Sequence, residues 1–345
     1  MLNIRFISFI TFVLITITSC TRQDLDTYLT ELHNNKKLNG NVLVVKSGNI
    51  IYERSFGFSD GSRDALLSKD HRFNIGSIYK EFPAVAIMQL VEAGKIKTTD
   101  KIDNFLPELP SWSARISIKN LLQYSSGLPK ENWDTYIKND KKITVQTIFK
   151  ELSSIKHLDF DPGTDYTYTN YSPVLLSLIV ERVAEMNYRD YAQQKLFDPY
   201  GLKNLVIKSS YPYKDETLMA IPFNSEFVED SFKIEIPWVL YSASTKDLYQ
   251  WLKHLDEFDI ISKESVRMLS QEAKTGNNIQ APLGRCDWED GKIVEHFHHG
   301  STANYECVAR NFKQEQIIIV ILTNQKNSNV NDISENIYEI VKRDF

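Results

Sequence analysis

The sequence predicts an α/β protein of the α+β type: an antiparallel sheet of about five strands built from both termini, flanked by helices, with a mainly helical lobe inserted between the two halves. Three observations predict it. Two β-branched and aromatic runs stand near the start, at 41–46 and 50–56. Three more strand-like runs stand near the end, at 293–299, 304–311 and 316–323. Between them, over roughly 77–260, apolar residues recur at helical spacing. A chain of 345 residues that is 42% hydrophobic and 25% charged is long and apolar enough to bury a large core.

Each element has a local reason. Leu25 to Leu32 carries its apolar residues at helical spacing and reads as a first helix. The runs 41–46 and 50–56 are joined by Ser47-Gly48-Asn49, a hairpin signature. Residues 84–93 (AVAIMQLVEA) read as a helix that stops at Gly94. Ile118 to Tyr124 is a short helix ended by Ser125-Ser126-Gly127. Ser172-Pro173 predicts a capped start for LLSLIVERV, whose Leu175, Ile179 and Val183 make a core-facing stripe. Residues 244–255 (STKDLYQWLKHL) read as another capped amphipathic helix. Ile333, Ile337, Ile340 and Val341 give the last segment a helical stripe. The expected division is an α/β lobe of 25–76 and 265–345 around a helical lobe of 77–264, with a cleft at their junction.

The first 19 residues form a separate case. Arg5 precedes an apolar run from Phe6 to about Ile17, shorter than the ~20 residues of a membrane span. Thr18-Ser19 before Cys20 resembles a bacterial lipobox, which implies cleavage of 1–19 and acylation of Cys20. An uncleaved anchor or an ordinary secretory signal is the alternative; each places the remaining chain outside the cytoplasm. The formal charge of −5 provides no basic excess for nucleic acid. Cys286 and Cys307 fall on strands that flank the one carrying 293–299. Two strand spacings, about 9.6 Å, exceed the ~7 Å that a disulfide tolerates, so two free thiols are expected.

Three segments can carry chemistry. Ser77-Ile78-Tyr79-Lys80 puts a hydroxyl and an amine one turn apart on a helix that starts at Ser77. A serine hydroxyl needs a nearby base, and lysine serves when burial or another cation depresses its pKa. Pro83 cannot donate to the carbonyl of Tyr79 and so kinks or tightens the first turn. The second segment is the tyrosine-rich 162–170, and the third is His296-Phe297-His298-His299-Gly300-Ser301. Neighbouring histidines on a strand point to opposite faces and share no ion easily, so no metal is expected.

In order along the chain, Ser77-x-x-Lys80, Tyr168-x-Asn170 and His298-x-Gly300 resemble the serine β-lactamase and penicillin-binding family, in its class C and D-alanyl-D-alanine carboxypeptidase branch. The likeness extends over RFNIGSIYKEFPAVAIMQLVEAGKI, DKIDNFLPELP, ISIKNLLQYSSGLP, DPGTDYTYTNYSPVLLSLIVERV and KLFDPYGLKN, nearly all of 25–340. It implies a β-lactamase/transpeptidase-like fold with Ser77 as acylated nucleophile and Lys80 and Tyr168 as proton-handling partners. Asn170 is implied to bond Lys80 and the substrate amide, and the N–H groups of Ser77 and Ser301 to form the oxyanion site. Tyr168 as a tyrosinate requires its pKa to fall, which Lys80 can achieve by charge. Tyr124-Ser-Ser-Gly127 matches a supporting turn.

His298 stands where many members carry lysine. A substrate carboxylate held there is expected to lose affinity between about pH 6 and 8. The reading is a lipid-anchored hydrolase of the cell envelope that acts through an acyl-enzyme and calls for no cofactor. Its substrate is a D-amino-acid peptide such as a peptidoglycan stem, or a small ester or amide. A β-lactamase is one alternative. A non-catalytic lipoprotein that binds wall peptides is another, disfavoured because a binder needs no proton relay.

Overall fold

The computed structural model describes residues 24–213, 218–271, 281–327 and 329–344. The leader and Cys20 lie outside the described residues. Helix α1, Leu25–Asn34, is capped by Asp24. Strand β1, Gly40–Lys46, turns at Ser47 and Gly48, both in the left-handed region, into β2, Asn49–Phe56. The distal strands are β3, Arg285–Glu289, β4, Lys292–Thr302, β5, Tyr305–Phe312, and β6, Ile317–Thr323. Together they form one antiparallel six-stranded sheet in the order β2-β1-β6-β5-β4-β3. The two ends of the chain meet where β1 pairs with β6 at the centre, as the sequence predicts.

Strand β6 shows why this sheet is sandwiched. Its run IIIVILT is buried throughout, with Ile317, Ile319 and Ile321 facing one side and Ile318, Val320 and Leu322 the other. Helix α1 and the C-terminal Val330–Asp344 cover the first side with Leu25, Leu29, Ile333, Ile337 and Val341. Helix Thr245–Asp256 covers the other side through Leu248, Trp251, Leu252 and Leu255, spaced i, i+3, i+4 and i+7. That helix begins in a capping box of Ser244 and Asp247, as its sequence suggests. It packs on β1, β5 and β6, so it belongs to the sheet lobe, and the expected boundary at 264 falls too late. The stripe identified the buried face correctly, but no local pattern says which lobe it is buried against.

The helical lobe is built on Glu81–Glu92, which ends with Gly94 at φ +69°, and on Tyr171–Ala184 packed against it. This second helix starts at Tyr171, with Asn170 in the capping position. Ser172 was the expected cap, but its hydroxyl is buried without a partner. Cys286 and Cys307 lie on β3 and β5 with β4 between them, and both are free and buried.

Candidate active site

Ser77 lies in a 3-10 turn, Gly76–Lys80, that runs directly into the helix Glu81–Glu92. The expected helix from Ser77 is therefore tightened in its first turn. Pro83, third in the α-helix, has no N–H to give the carbonyl of Tyr79. In a 3-10 turn, residues three apart eclipse one another, which stacks Lys80 on Ser77. The Lys80 Nζ donates to Ser77 Oγ at 3.1 Å.

Two glycines allow this turn to sit against β4. Gly76 has φ +50°, and a Cβ there would lie 2.3 Å from the nitrogen of Ser301. A Cβ on Gly300 would lie 2.0 Å from the Ile75 carbonyl oxygen and 3.0 Å from the nitrogen of Ser77. Such contact brings the Ser77 and Ser301 backbone nitrogens together beside the Ser77 hydroxyl. Two converging N–H groups can stabilise an oxyanion formed by attack at that point.

Lys80 is 4% exposed, and burial lowers its pKa to about 7 against the opposing influence of Glu131. A neutral amine is therefore available at neutral pH as a base for Ser77. Tyr168 is hydrogen-bonded to Ser77, but burial raises its pKa to about 12, the bond to Ser77 opposing and Glu131 reinforcing the rise. The fall in pKa that a tyrosinate requires is not found: withdrawal from water raises it, although Lys80 Nζ lies 4.9 Å from the Tyr168 ring centre. Neutral Tyr168 can pass a proton as donor and acceptor, and Lys80 is the group beside Ser77 Oγ whose lowered pKa suits a base. The Tyr124–Gly127 turn, expected as structural support, lies against Tyr168. Tyr124 takes φ +53°, its carbonyl accepts from Thr167 N–H, and its ring packs 4.9 Å from that of Tyr168.

Asn170 lines the same cleft with different partners from those expected. Its Oδ1 accepts from the Tyr79 hydroxyl at 3.1 Å, and its Nδ2 donates to Glu131 Oε1 at 2.5 Å. Glu131 Oε2 accepts from the Asn170 backbone N–H and the Thr169 hydroxyl. Neither Tyr79 nor Glu131 was singled out from sequence; only the position of Tyr79 inside the serine–lysine motif hinted at it.

His298 departs furthest from expectation. It is 2% exposed, and its Nδ1 lies 2.5 Å from Glu81 Oε1. Burial pulls its pKa below the ordinary 6.5, against Glu81. A buried, neutral imidazole offers no charge to a substrate carboxylate, and the pH window expected for such binding loses its basis. His299 points to the opposite face and reaches Glu306 at 3.0 Å.

Beneath the turn lies a buried polar network that sequence reasoning missed. Glu81 Oε2 accepts from Trp251 Nε1 at 2.6 Å, and Glu81 Oε1 also faces His296 Nε2 at 3.4 Å. His296 Nδ1 bonds Asp256 at 2.9 Å, and Asp256 accepts from Asn311. Burial works to strip the charge from His296, but Asp256 and Glu81 hold its pKa well above the ordinary range. Burial likewise opposes ionised Glu81, yet the charge of His296 and the hydrogen bonds from His296 and His298 keep its pKa near 2. An acid at the head of the otherwise apolar EFPAVAIM, with histidines two apart on one strand face, was the available signal.

A cleft of about 230 Å³ opens above Ser77. Its walls include Glu131, Trp133, Ile137, Asn170, Leu240 and Ser301. Lys326 Nζ donates to the hydroxyl of the wall residue Ser301 at 3.0 Å.

A sheet joined from both termini, a helical lobe and a serine–lysine pair at their junction define a serine hydrolase of the β-lactamase fold. Residues 25–342 match the family described as Beta-lactamase, and the chain belongs to that family. A penicillin-binding protein of Bacillus subtilis (strain 168) is 25% identical over 338 residues, spanning 88% of this chain and 72% of its own length. The penicillin-binding protein structure from Bacillus halodurans superposes with TM-score 0.75 at 21% identity, over 91% of this chain and 99% of that one. The D-amino acid amidase of Ochrobactrum anthropi SV3 gives TM-score 0.73 at 19% identity, over 90% and 95%. At such identities these structures share the fold.

Proposed function

We propose that the protein is an exported, lipid-anchored hydrolase of the cell envelope that works through an acyl-enzyme on Ser77. Its preferred substrates are D-amino-acid peptides, or small esters and amides. The observation that carries this reading is the 3.1 Å contact between Ser77 Oγ and a lysine whose pKa burial brings to about 7. Neutral Lys80 takes the Ser77 proton as Oγ attacks the carbonyl carbon. The oxyanion faces the N–H groups of Ser77 and Ser301. Collapse of the tetrahedral adduct breaks the bond to the leaving amine or alcohol, which takes a proton through Tyr168 from Lys80. Water then attacks the ester, and its proton returns by the same groups while Ser77 Oγ leaves.

Support for the anchor comes from Thr18-Ser19-Cys20 after an apolar run too short to span a bilayer. The decisive experiment is the intact mass of the protein after treatment with a fluorophosphonate and, separately, a penicillin, beside Ser77→Ala. A mass gain that depends on Ser77 is expected, and no gain from either reagent refutes the enzyme reading. A penicillin adduct that persists favours the carboxypeptidase chemistry, and rapid release favours a β-lactamase. The N-terminal peptide should carry acyl chains on Cys20; a Thr21 start, or an intact Met1, refutes the anchor.

A further inference from the structure

We propose that the pocket lined by the end of α1 and the loops 58–63, 225–227 and 325–327 is a second binding site, for the phosphate group of a small organic molecule. It shares no lining residue with the catalytic cleft and does not depend on the acyl-enzyme chemistry.

The pocket measures about 420 Å³, within the range of small-molecule sites. Its charge is of one sign. Lys36 and Arg63 line it, and no carboxylate does among the described residues. Neither cation has an acid partner among those residues. The two acids that the neighbouring turns hold in place face backbone instead. Asp60 accepts from the Ser62 hydroxyl at 2.6 Å and from the N–H groups of Ser62 and Arg63. Glu229 accepts from the Gly61 N–H at 3.2 Å. Asp64 and Glu226 are exposed and line no part of the pocket. A concave wall with two unpaired cations attracts an anion, and a guanidinium presents parallel N–H groups that match a phosphate.

Unusual backbone gathers at the same place. Lys36, Arg63 and Phe227 take φ of +58°, +66° and +63°, the left-handed region that glycine enters freely and other residues avoid. All three line this pocket. Positions that favour glycine carry two cations and an aromatic ring, and residues held in this region cluster at ligand clamps. Arg63 lies over the Phe227 ring, 4.5 Å from its centre, which restricts the guanidinium. Hydrogen bonds fasten the walls to one another. Asn327 Nδ2 donates to the Lys36 carbonyl at 2.9 Å, and Gln325 Nε2 donates to that of Asn224 at 2.8 Å. Asn39 Nδ2 donates to the Phe58 carbonyl at 2.9 Å. Phe58 and Phe227 supply apolar wall for the organic body that carries the phosphate.

The test is calorimetric titration of the full chain with phenyl phosphate, in uncharged detergent at about pH 7.5, where the phosphate carries close to two charges. Saturable binding is expected with a Kd of about 1 mM or tighter. Lys36→Gly and Arg63→Gly each remove a cation while suiting the left-handed backbone, so the urea midpoint should not fall. Each should weaken binding about tenfold, the size of one charge-assisted bond, and Arg63→Gln should do the same. No saturable binding up to about 10 mM overturns the proposal, as does binding that none of these substitutions weakens. Phenol, the same ring without its phosphate, should not bind; equal affinity for phenol also overturns it. Competition identifies the source of the phosphate. Displacement by glycerol 3-phosphate alone assigns a soluble ester. Displacement by dihexanoyl phosphatidylglycerol, but not by dihexanoyl phosphatidylcholine, assigns a lipid headgroup.

Discussion

Glu81→Gln tests the buried network most directly, because it removes a charge while keeping the shape of the side chain. Glu81 is 0% exposed and accepts from Trp251 at 2.6 Å and His298 at 2.5 Å, with His296 at 3.4 Å. A carboxylate held near 2 instead of its ordinary 4.5 contributes about 3 kcal/mol to folding at neutral pH. Breaking a buried ion pair costs about 3–5 kcal/mol by an independent route, and the two figures agree. The sign follows from the depressed pKa. The contribution is present above pH 4.5 and is lost as pH falls towards 2. His296 has the opposite dependence: its raised pKa contributes below its ordinary 6.5 and is lost as pH rises through the raised value. Urea unfolding at pH 7 should therefore show Glu81→Gln less stable by about 3 kcal/mol with an unchanged m-value. At about pH 3 the gap should shrink to half or less, because wild type has then lost most of what the carboxylate contributes. A gap below about 1 kcal/mol at pH 7, or one that does not change with acidification, refutes the reasoning.

The catalytic groups give three further expectations. The rate of Ser77 modification by a fluorophosphonate should rise about tenfold per pH unit up to about pH 7 and then level, following the free amine of Lys80; a flat rate from pH 5 to 8 removes Lys80 as the base. Tyr168→Phe should fold normally and lose about 10²- to 10⁴-fold in kcat for an amide, since the leaving amine then lacks its proton donor; turnover within threefold of wild type contradicts that role. Gly300→Ala should lose about 1–3 kcal/mol in thermal unfolding and most of its Ser77 labelling, because the added Cβ would lie 2.0 Å from the Ile75 carbonyl oxygen; a stable, fully labelled variant shows that the turn does not need this close approach.

The sequence by itself determined the architecture and most of the cleft. β-branched and aromatic runs at both ends and helical periods between them pointed to a sheet closed by both termini, and β1 pairs with β6 accordingly. The serine–lysine spacing sufficed to place Ser77 against Lys80, because residues three apart on a helical turn meet whatever surrounds them. The glycine at 300 was legible for a similar local reason, as part of a motif with fixed spacing.

Tertiary structure decided what depends on burial and on partners distant in sequence. Whether Tyr168 ionises is set by loss of water, which no spacing reports, and burial carries its pKa to about 12. His298 looked like a cation facing substrate until Glu81, 217 positions away, took its Nδ1. Asn170 exchanged its expected partner Lys80 for Tyr79 and for Glu131, 39 residues upstream on another loop. The helix Thr245–Asp256 displayed its apolar stripe in sequence, yet only packing assigned that stripe to the sheet. Local periodicity fixes which face of an element is buried; the charge and hydrogen-bond state of a buried group depends on long-range neighbours, and those exist only once the chain has closed around them.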